Sequence, residues 1–181
     1  IDSLRTRLHK VSSQWQNADG KSVLYVMSRD QRTFDNHALL AAQKHALELR
    51  LPLAVVFCLY PKNGVRAKEH YDFMLSGLKE VEQNLATFGI PFILLLGNPT
   101  QRLESTVKHF KPAAVYFDFN PLSGPRKLAE HIAKLAPTIV VDTHNVVPVR
   151  IASDKQEYAA RTLRPKIHHF LPFYLQGLDP I

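Results

Sequence analysis

Val23-Leu24-Tyr25-Val26-Met27-Ser28-Arg29-Asp30-Gln31-Arg32 passes from a short apolar run straight into a dense polar loop, with Asp35-Asn36 close behind. An apolar run of strand length that ends in polar residues fits a buried parallel strand whose carboxyl end faces a ligand crevice. Its counterpart lies near the far end of the chain. Residues 138–141 form another apolar run, and Asp142-Thr143-His144-Asn145-Val146-Val147-Pro148 follows at once. Between the two, apolar runs recur at 53–59, 90–96 and 113–117.

Helical spacing fills the intervals. Ala38, Leu39, Ala42, Ala46 and Leu49 predict a helix over 36–49, with Asp35 placed to cap it. Pro61, Asn63 and Gly64 predict a loop. Tyr71, Met74, Leu75, Leu78, Val81, Leu85 and Phe88 form the stripe of a long helix over 68–88, which Gly89 stops. Pro99 and Pro125 sit near the starts of helices expected at 100–110 and 126–135, and 164–176 reads as helical again. Strands alternating with helices predict an α/β fold: a Rossmann-like, doubly wound, five-stranded parallel sheet of order 3-2-1-4-5. Residues 1–20 read as an N-terminal extension, part helical around 4–11, ending in the turn Asn17-Ala18-Asp19-Gly20. Residues 21–150 form the α/β domain, and 151–181 begin a connection onward.

A chain of 181 residues suits one domain with a proper core. The composition is that of a globular protein, with 45% hydrophobic and 22% charged residues. No run reaches the roughly 18 apolar residues of a membrane span, so no membrane role is expected. The start, Ile1-Asp2-Ser3-Leu4-Arg5, lacks the apolar core of a secretory signal and lacks an initiator Met, as a trimmed or excised domain would. The single cysteine, Cys58, sits in an apolar run and fits a cytoplasmic protein without disulfides. Net charge is +7, but the basic residues are dispersed. They suit either solvated faces or a salt-sensitive phosphate-binding surface.

The loop after residue 27 has no glycine, so it cannot bring backbone against a pyrophosphate as a dinucleotide fingerprint does. A phosphate loop and a nucleophile elbow are missing too. His168-His169 are neighbours that point apart on a helix, and no acid–histidine cluster has metal-ligand spacing. Arg29 and Arg32 suit an anion, and Asp30 a ring N–H or a hydroxyl. Alternatively, Arg29 pairs with Asp118 or Asp30 to close the sheet edge. Phe117-Asp118-Phe119-Asn120 ends the fourth strand. Aromatic rings beside an acid suit a planar heterocycle; a core Phe117 with a capping Asp118 is the other reading.

Residues 25–32 with Asp35-Asn36 resemble the opening of class II cyclobutane-pyrimidine-dimer DNA photolyases. Phe73-Met74-Leu75-Ser76-Gly77-Leu78 resembles their long helix. The segments Asp142-Thr143-His144-Asn145-Val146-Val147-Pro148 and Ala152-Ser153-Asp154-Lys155-Gln156-Glu157-Tyr158-Ala159-Ala160-Arg161-Thr162-Leu163-Arg164-Pro165-Lys166-Ile167 are similar to that family's N-terminal-domain signature. The likeness covers about residues 21–175. It implies an antenna domain that holds a light-harvesting chromophore of deazaflavin, pterin or flavin type. It places FAD, and the lesion pocket for UV-damaged DNA, in a separate C-terminal helical domain. The electron-transfer tryptophans belong to that domain as well; this chain has only Trp15.

On this reading Met27, Ser28, Arg29, Asp30 and Asn36 serve one side of the chromophore, Phe57 the base, and Asp118 with Phe119 the other. The chain alone is then not catalytic in DNA repair. Its expected partner is a separate or missing FAD-binding domain, and DNA is bound weakly if at all. Two positions depart from the family: His37 and Arg150 stand where it usually has Trp. Two further readings remain open. One is an interaction module that docks a flavin-domain partner through residues 154–166. The other is a DNA-binding module driven by the positive charge.

Overall fold

The structure is a computed structural model and describes residues 3–60 and 67–177. The expected loop around Pro61, Asn63 and Gly64 lies outside the described residues. A short 3-10 turn, Arg5–Arg7, opens the chain and runs into strand β1, Leu8–Lys10. Then follow β2 Ser22–Met27, α1 His37–Leu49, β3 Leu53–Leu59, α2 Lys68–Thr87 and β4 Phe92–Leu96. The second half contains α3 Pro99–Phe110, β5 Pro112–Asp118, α4 Ser123–Ile132, β6 Thr138–Val141, α5 Val149–Ala152 and α6 Ala160–Tyr174.

The sheet order is β1-β6-β5-β2-β3-β4. The five strands β2 to β6 pair in parallel and in the expected order 3-2-1-4-5. The sixth strand corrects the reading of residues 1–20. Around 4–11 there is no α-helix; β1 instead adds antiparallel to β6, with His9 opposite Val140. Leu8-His9-Lys10 alternates too briefly to stand out in sequence, and only the open edge of β6 gives it a partner.

Burial explains the apolar runs. All residues of β2 and β5 are buried, because both strands are covered on two faces. Val23, Tyr25 and Met27 pack with Val55 and Phe57 against α1 and α2. Leu24 and Val26 pack on the other face against Leu103, Val107, Ala129 and Ile132 of α3 and α4. Gly20 lies against the start of β5, where a Cβ would fall 2.2 Å from the Ala113 Cα.

The helix ends follow local chemistry. Asn36, not Asp35, caps α1: its side chain accepts the Leu39 N–H at 2.9 Å. Asp35 instead turns the chain at φ 49. Asn98 caps α3, with Pro99 in the first turn. The helices expected at 126–135 and 164–176 each begin and end earlier, as α4 and α6.

Candidate functional site

A cavity of about 610 Å³ opens at the carboxyl ends of the parallel strands. Val26 and Met27 of β2, Ser28 just after it, and Phe117 with Asp118 of β5 form one wall. Phe57, Cys58, Leu59 and Tyr60 bring the end of β3 to it. Tyr71 and Met74 reach it from α2, Asn98 and Thr100 from the start of α3, and Gly124, Pro125 and Leu128 from α4. The lining is mostly apolar and aromatic with a few polar groups, in the size range of small-molecule sites. Burial pushes the Cys58 thiol up to about 11, so it meets the cavity as a neutral group.

The switch point between β2 and β5 is closed by Asp118, which is 5% exposed. Its Oδ1 accepts the Tyr25 hydroxyl at 2.6 Å. Its Oδ2 accepts the backbone N–H groups of Ser28 and Arg29, each at 2.8 Å, and that of Asp30 at 3.3 Å. The Ser28 hydroxyl donates to the same oxygen at 3.2 Å. Asp118 therefore folds the loop after β2 around itself. Burial first, and Asp118 next, raise the Tyr25 pKa well above the ordinary tyrosine value, so the phenol keeps the proton that it donates.

Four of the sequence-predicted residues meet in the cavity: Met27, Ser28, Phe57 and Asp118. The other four do not line it. The Arg29 guanidinium turns to the Phe119 carbonyl at 3.4 Å, and its contact with Asp118 is through the backbone N–H. Asp30 is buried between His144 Nδ1 at 3.1 Å and Arg32 at 3.6 Å. The Asn36 amide donates to Tyr25 and to the carbonyls of Asp30 and Arg32, so Asn36 organises the loop as well as capping α1. Phe119 borders a separate hollow of about 110 Å³ with Arg126, Val140 and Arg150.

The sequence reading missed Tyr60, Tyr71, Met74, Asn98 and Thr100. Tyr71 and Met74 carried the signal of a core stripe, and in the structure both are half-buried at the border of the cavity. Asn98-Pro99 was legible as a helix start after a strand, which is where open α/β sheets place ligand contacts.

The departures from the family pattern have their own settings. His37 donates its backbone N–H to the Thr143 hydroxyl at 3.0 Å. Burial, then the Arg7 guanidinium, push its ring down to about 4. Arg150 is exposed and meets His9. Among the described residues no cluster of three or more metal-ligating side chains occurs, and no helix is long and apolar enough to cross a membrane.

Comparison with known proteins places the geometry in context. Residues 23–180 match the sequence profile of the DNA photolyases. A deoxyribodipyrimidine photo-lyase of Potorous tridactylus is 44% identical over 89% of this chain. One from Arabidopsis thaliana is 37% identical over 94%. The chain spans only 31% and 36% of those relatives. Among solved structures, a cryptochrome of Synechocystis matches with TM-score 0.66 at 16% identity, over 82% of this chain and 33% of its own. A class III photolyase of Agrobacterium tumefaciens matches with TM-score 0.57 at 20% identity, over 71% and 27%. These two likenesses concern the fold.

Proposed function

The chain belongs to the DNA photolyase family, and from that premise we propose that it is the family's light-harvesting α/β domain, of the class II type, binding a planar chromophore in the cavity over β2, β3 and β5. The observation that carries this reading is the 610 Å³ cavity itself, with rings from Phe57, Tyr60, Tyr71 and Phe117 around it. A deazaflavin, pterin or flavin fits this chemistry: flat, largely apolar faces between aromatic walls, and polar edges toward a few fixed groups. Ser28, Gln31, Asn98 and Thr100 supply those groups. When bound, the chromophore absorbs light and passes excitation energy to FAD held outside this chain. The residues here bind it, orient it and keep water from its faces. Repair of UV-induced pyrimidine dimers is the role proposed for the full-length protein, and this domain is not catalytic alone.

The test is a fluorescence titration of the purified protein with FMN, a deazaflavin and a folate-type pterin. Micromolar binding of one, weakened at least tenfold by Tyr71→Ala, supports the proposal. No binding by any of the three refutes it.

A second reading is supported by the surface that follows. Tyr158 is 89% exposed, beside a loop pinned by Lys166 on Ser153 and Glu157. A loop tied to α6 in this way, presenting an exposed aromatic ring, suits docking of a flavin-domain partner. Pull-down of that domain, lost with Tyr158→Ala, checks it.

A further inference from the structure

We propose that the outer edge of β6 and the loop after it form a receptor for an extended, arginine-bearing peptide segment, which the chain fills with its own residues 3–11. Two features make residues 3–11 behave as a docked peptide. The first is strand addition. Leu8, His9 and Lys10 pair with Val141, Val140 and Ile139. Main-chain bonds flank the pairing, from the Asp142 N–H to the Arg7 carbonyl at 3.0 Å and from the Val11 N–H to the Thr138 carbonyl at 2.9 Å. An open sheet edge gives affinity to any extended segment in this way, and side-chain pockets then give specificity.

The second feature is the pocket for Arg7, which is 3% exposed. Its Nη1 donates to the carbonyls of Asp142 at 2.9 Å and Asn145 at 2.7 Å, and its Nη2 to that of Val146 at 2.6 Å. The guanidinium lies 5.1 Å from the centre of the Tyr174 ring. Three convergent carbonyls and an aromatic face suit the planar, multi-donor fork of arginine and not the point charge of lysine.

The receptor is built without the segment that fills it. The Asp142 carboxylate accepts from the Asn145 side chain at 2.8 Å and from the Val149 N–H at 2.7 Å. These bonds curl the loop and aim its carbonyls inward, and neither uses a residue of the N-terminal segment. The link from that segment to the domain is solvent-exposed over residues 13–19 and is held at two points, by the Asn17 N–H on the Ala113 carbonyl at 2.8 Å and by Gln16 on His45 at 2.9 Å.

Occupancy also reaches α6. Tyr174, the last residue of α6, stacks on Arg7 and shares a hydrogen bond with the Thr6 hydroxyl at 2.8 Å. Beyond that, α6 is held by a small cluster around Val147 and Ala152 and by Lys166 on Ser153 and Glu157. Filling the receptor therefore adds to the hold on the C-terminal end of α6.

The experiment places a protease site between the exposed Gln14 and Trp15, folds the whole chain and then cuts it. The released segment is expected to stay bound through gel filtration. It is expected to exchange with a labelled synthetic peptide of residues 3–14, which binds roughly a hundredfold more weakly with Arg7→Ala and at least tenfold more weakly with Arg7→Lys. Loss of the fragment from a receptor that remains folded overturns the proposal, as does an Arg7→Ala peptide binding within threefold of the native one. If the cut protein unfolds, amide hydrogen exchange on intact Arg7→Ala protein decides. Exchange in residues 160–174 accelerated at least tenfold, with β2 and β5 unchanged, supports the proposal; unaltered exchange in α6 overturns it.

Discussion

Asp118→Ala tests how the loop after β2 is held. Asp118 gathers a phenol, a serine hydroxyl and three backbone amides on one buried carboxylate. Removing it strands the Ser28 and Arg29 N–H groups outright. Tyr25 keeps a partial substitute in Asn36, whose Oδ1 lies 3.5 Å from its hydroxyl. A buried donor left without a partner costs about 1–3 kcal/mol. The loop borders the cavity and can relax toward water, so the low end applies to each group. The expected loss is about 3–4 kcal/mol, a large part of the ~5–15 kcal/mol that holds a domain together. For a chain of this size that corresponds to roughly 10 °C in Tm. Urea and thermal unfolding followed by circular dichroism would measure it. Asp118→Asn retains one acceptor oxygen and should lose about half as much. Tyr25→Phe combined with Asp118→Ala should fall short of additivity by about 0.5 kcal/mol or more, because the two groups share a bond. A loss under about 1 kcal/mol for Asp118→Ala would refute the argument. Weaker chromophore binding with unaltered stability would instead make Asp118 a direct ligand contact.

Three further outcomes are expected. The His37 ring titrates near 4 when folded and near its ordinary value of about 6.5 when unfolded. The unfolded chain therefore binds more protons between those values, and stability should fall as pH drops through that window. Allowing for partial exposure, the fall is about 1–2 kcal/mol; His37→Phe should flatten that part of the stability–pH curve, and an unchanged curve would count against the assignment. Cys58, held near 11, should react with iodoacetamide at pH 8 about a hundredfold more slowly than a thiol of ordinary pKa. A chromophore bound beside it should slow the reaction further, and mass spectrometry reads both rates. Gly20→Ala drives a methyl group to within 2.2 Å of backbone at Ala113 and should cost about 2–3 kcal/mol; a neutral result in chemical denaturation would mean that the β2–β5 junction gives way more easily than its packing implies.

The parallel order of β2 to β6 was legible because each strand is buried on both faces and so reads as a continuous apolar run. The four intervening helices were legible for a similar reason: α2 repeats Met74, Leu78, Val81 and Leu85 at helical spacing. Element ends were read less well. Asp35 and Asn36 are equally plausible caps in sequence, and the left-handed turn at Asp35 decides for Asn36. The polar loop of residues 28–36 was correctly located at the switch point. Only Ser28 and Gln31 of this loop line the cavity, while Arg29, Asp30 and Asn36 turn to Phe119, to His144 and to the loop's own carbonyls.

By itself the sequence determined the α/β alternation, the order of the five parallel strands and the polar character of the sheet end at which the cavity opens. Those properties follow from hydrophobic periodicity and from the handedness of parallel crossovers, which are local in sequence or nearly universal. Only the tertiary structure decided that Asp118 seals the switch point, that Tyr60, Tyr71 and Met74 face a cavity, and that residues 8–10 are a strand. Each depends on partners distant in the chain: the β2 loop for Asp118, the meeting of the end of β3 with α2 and α3 around one cavity for Tyr60, Tyr71 and Met74, the free edge of β6 for β1. A side chain's type states what it can bond to, and the fold chooses which of the available partners arrives.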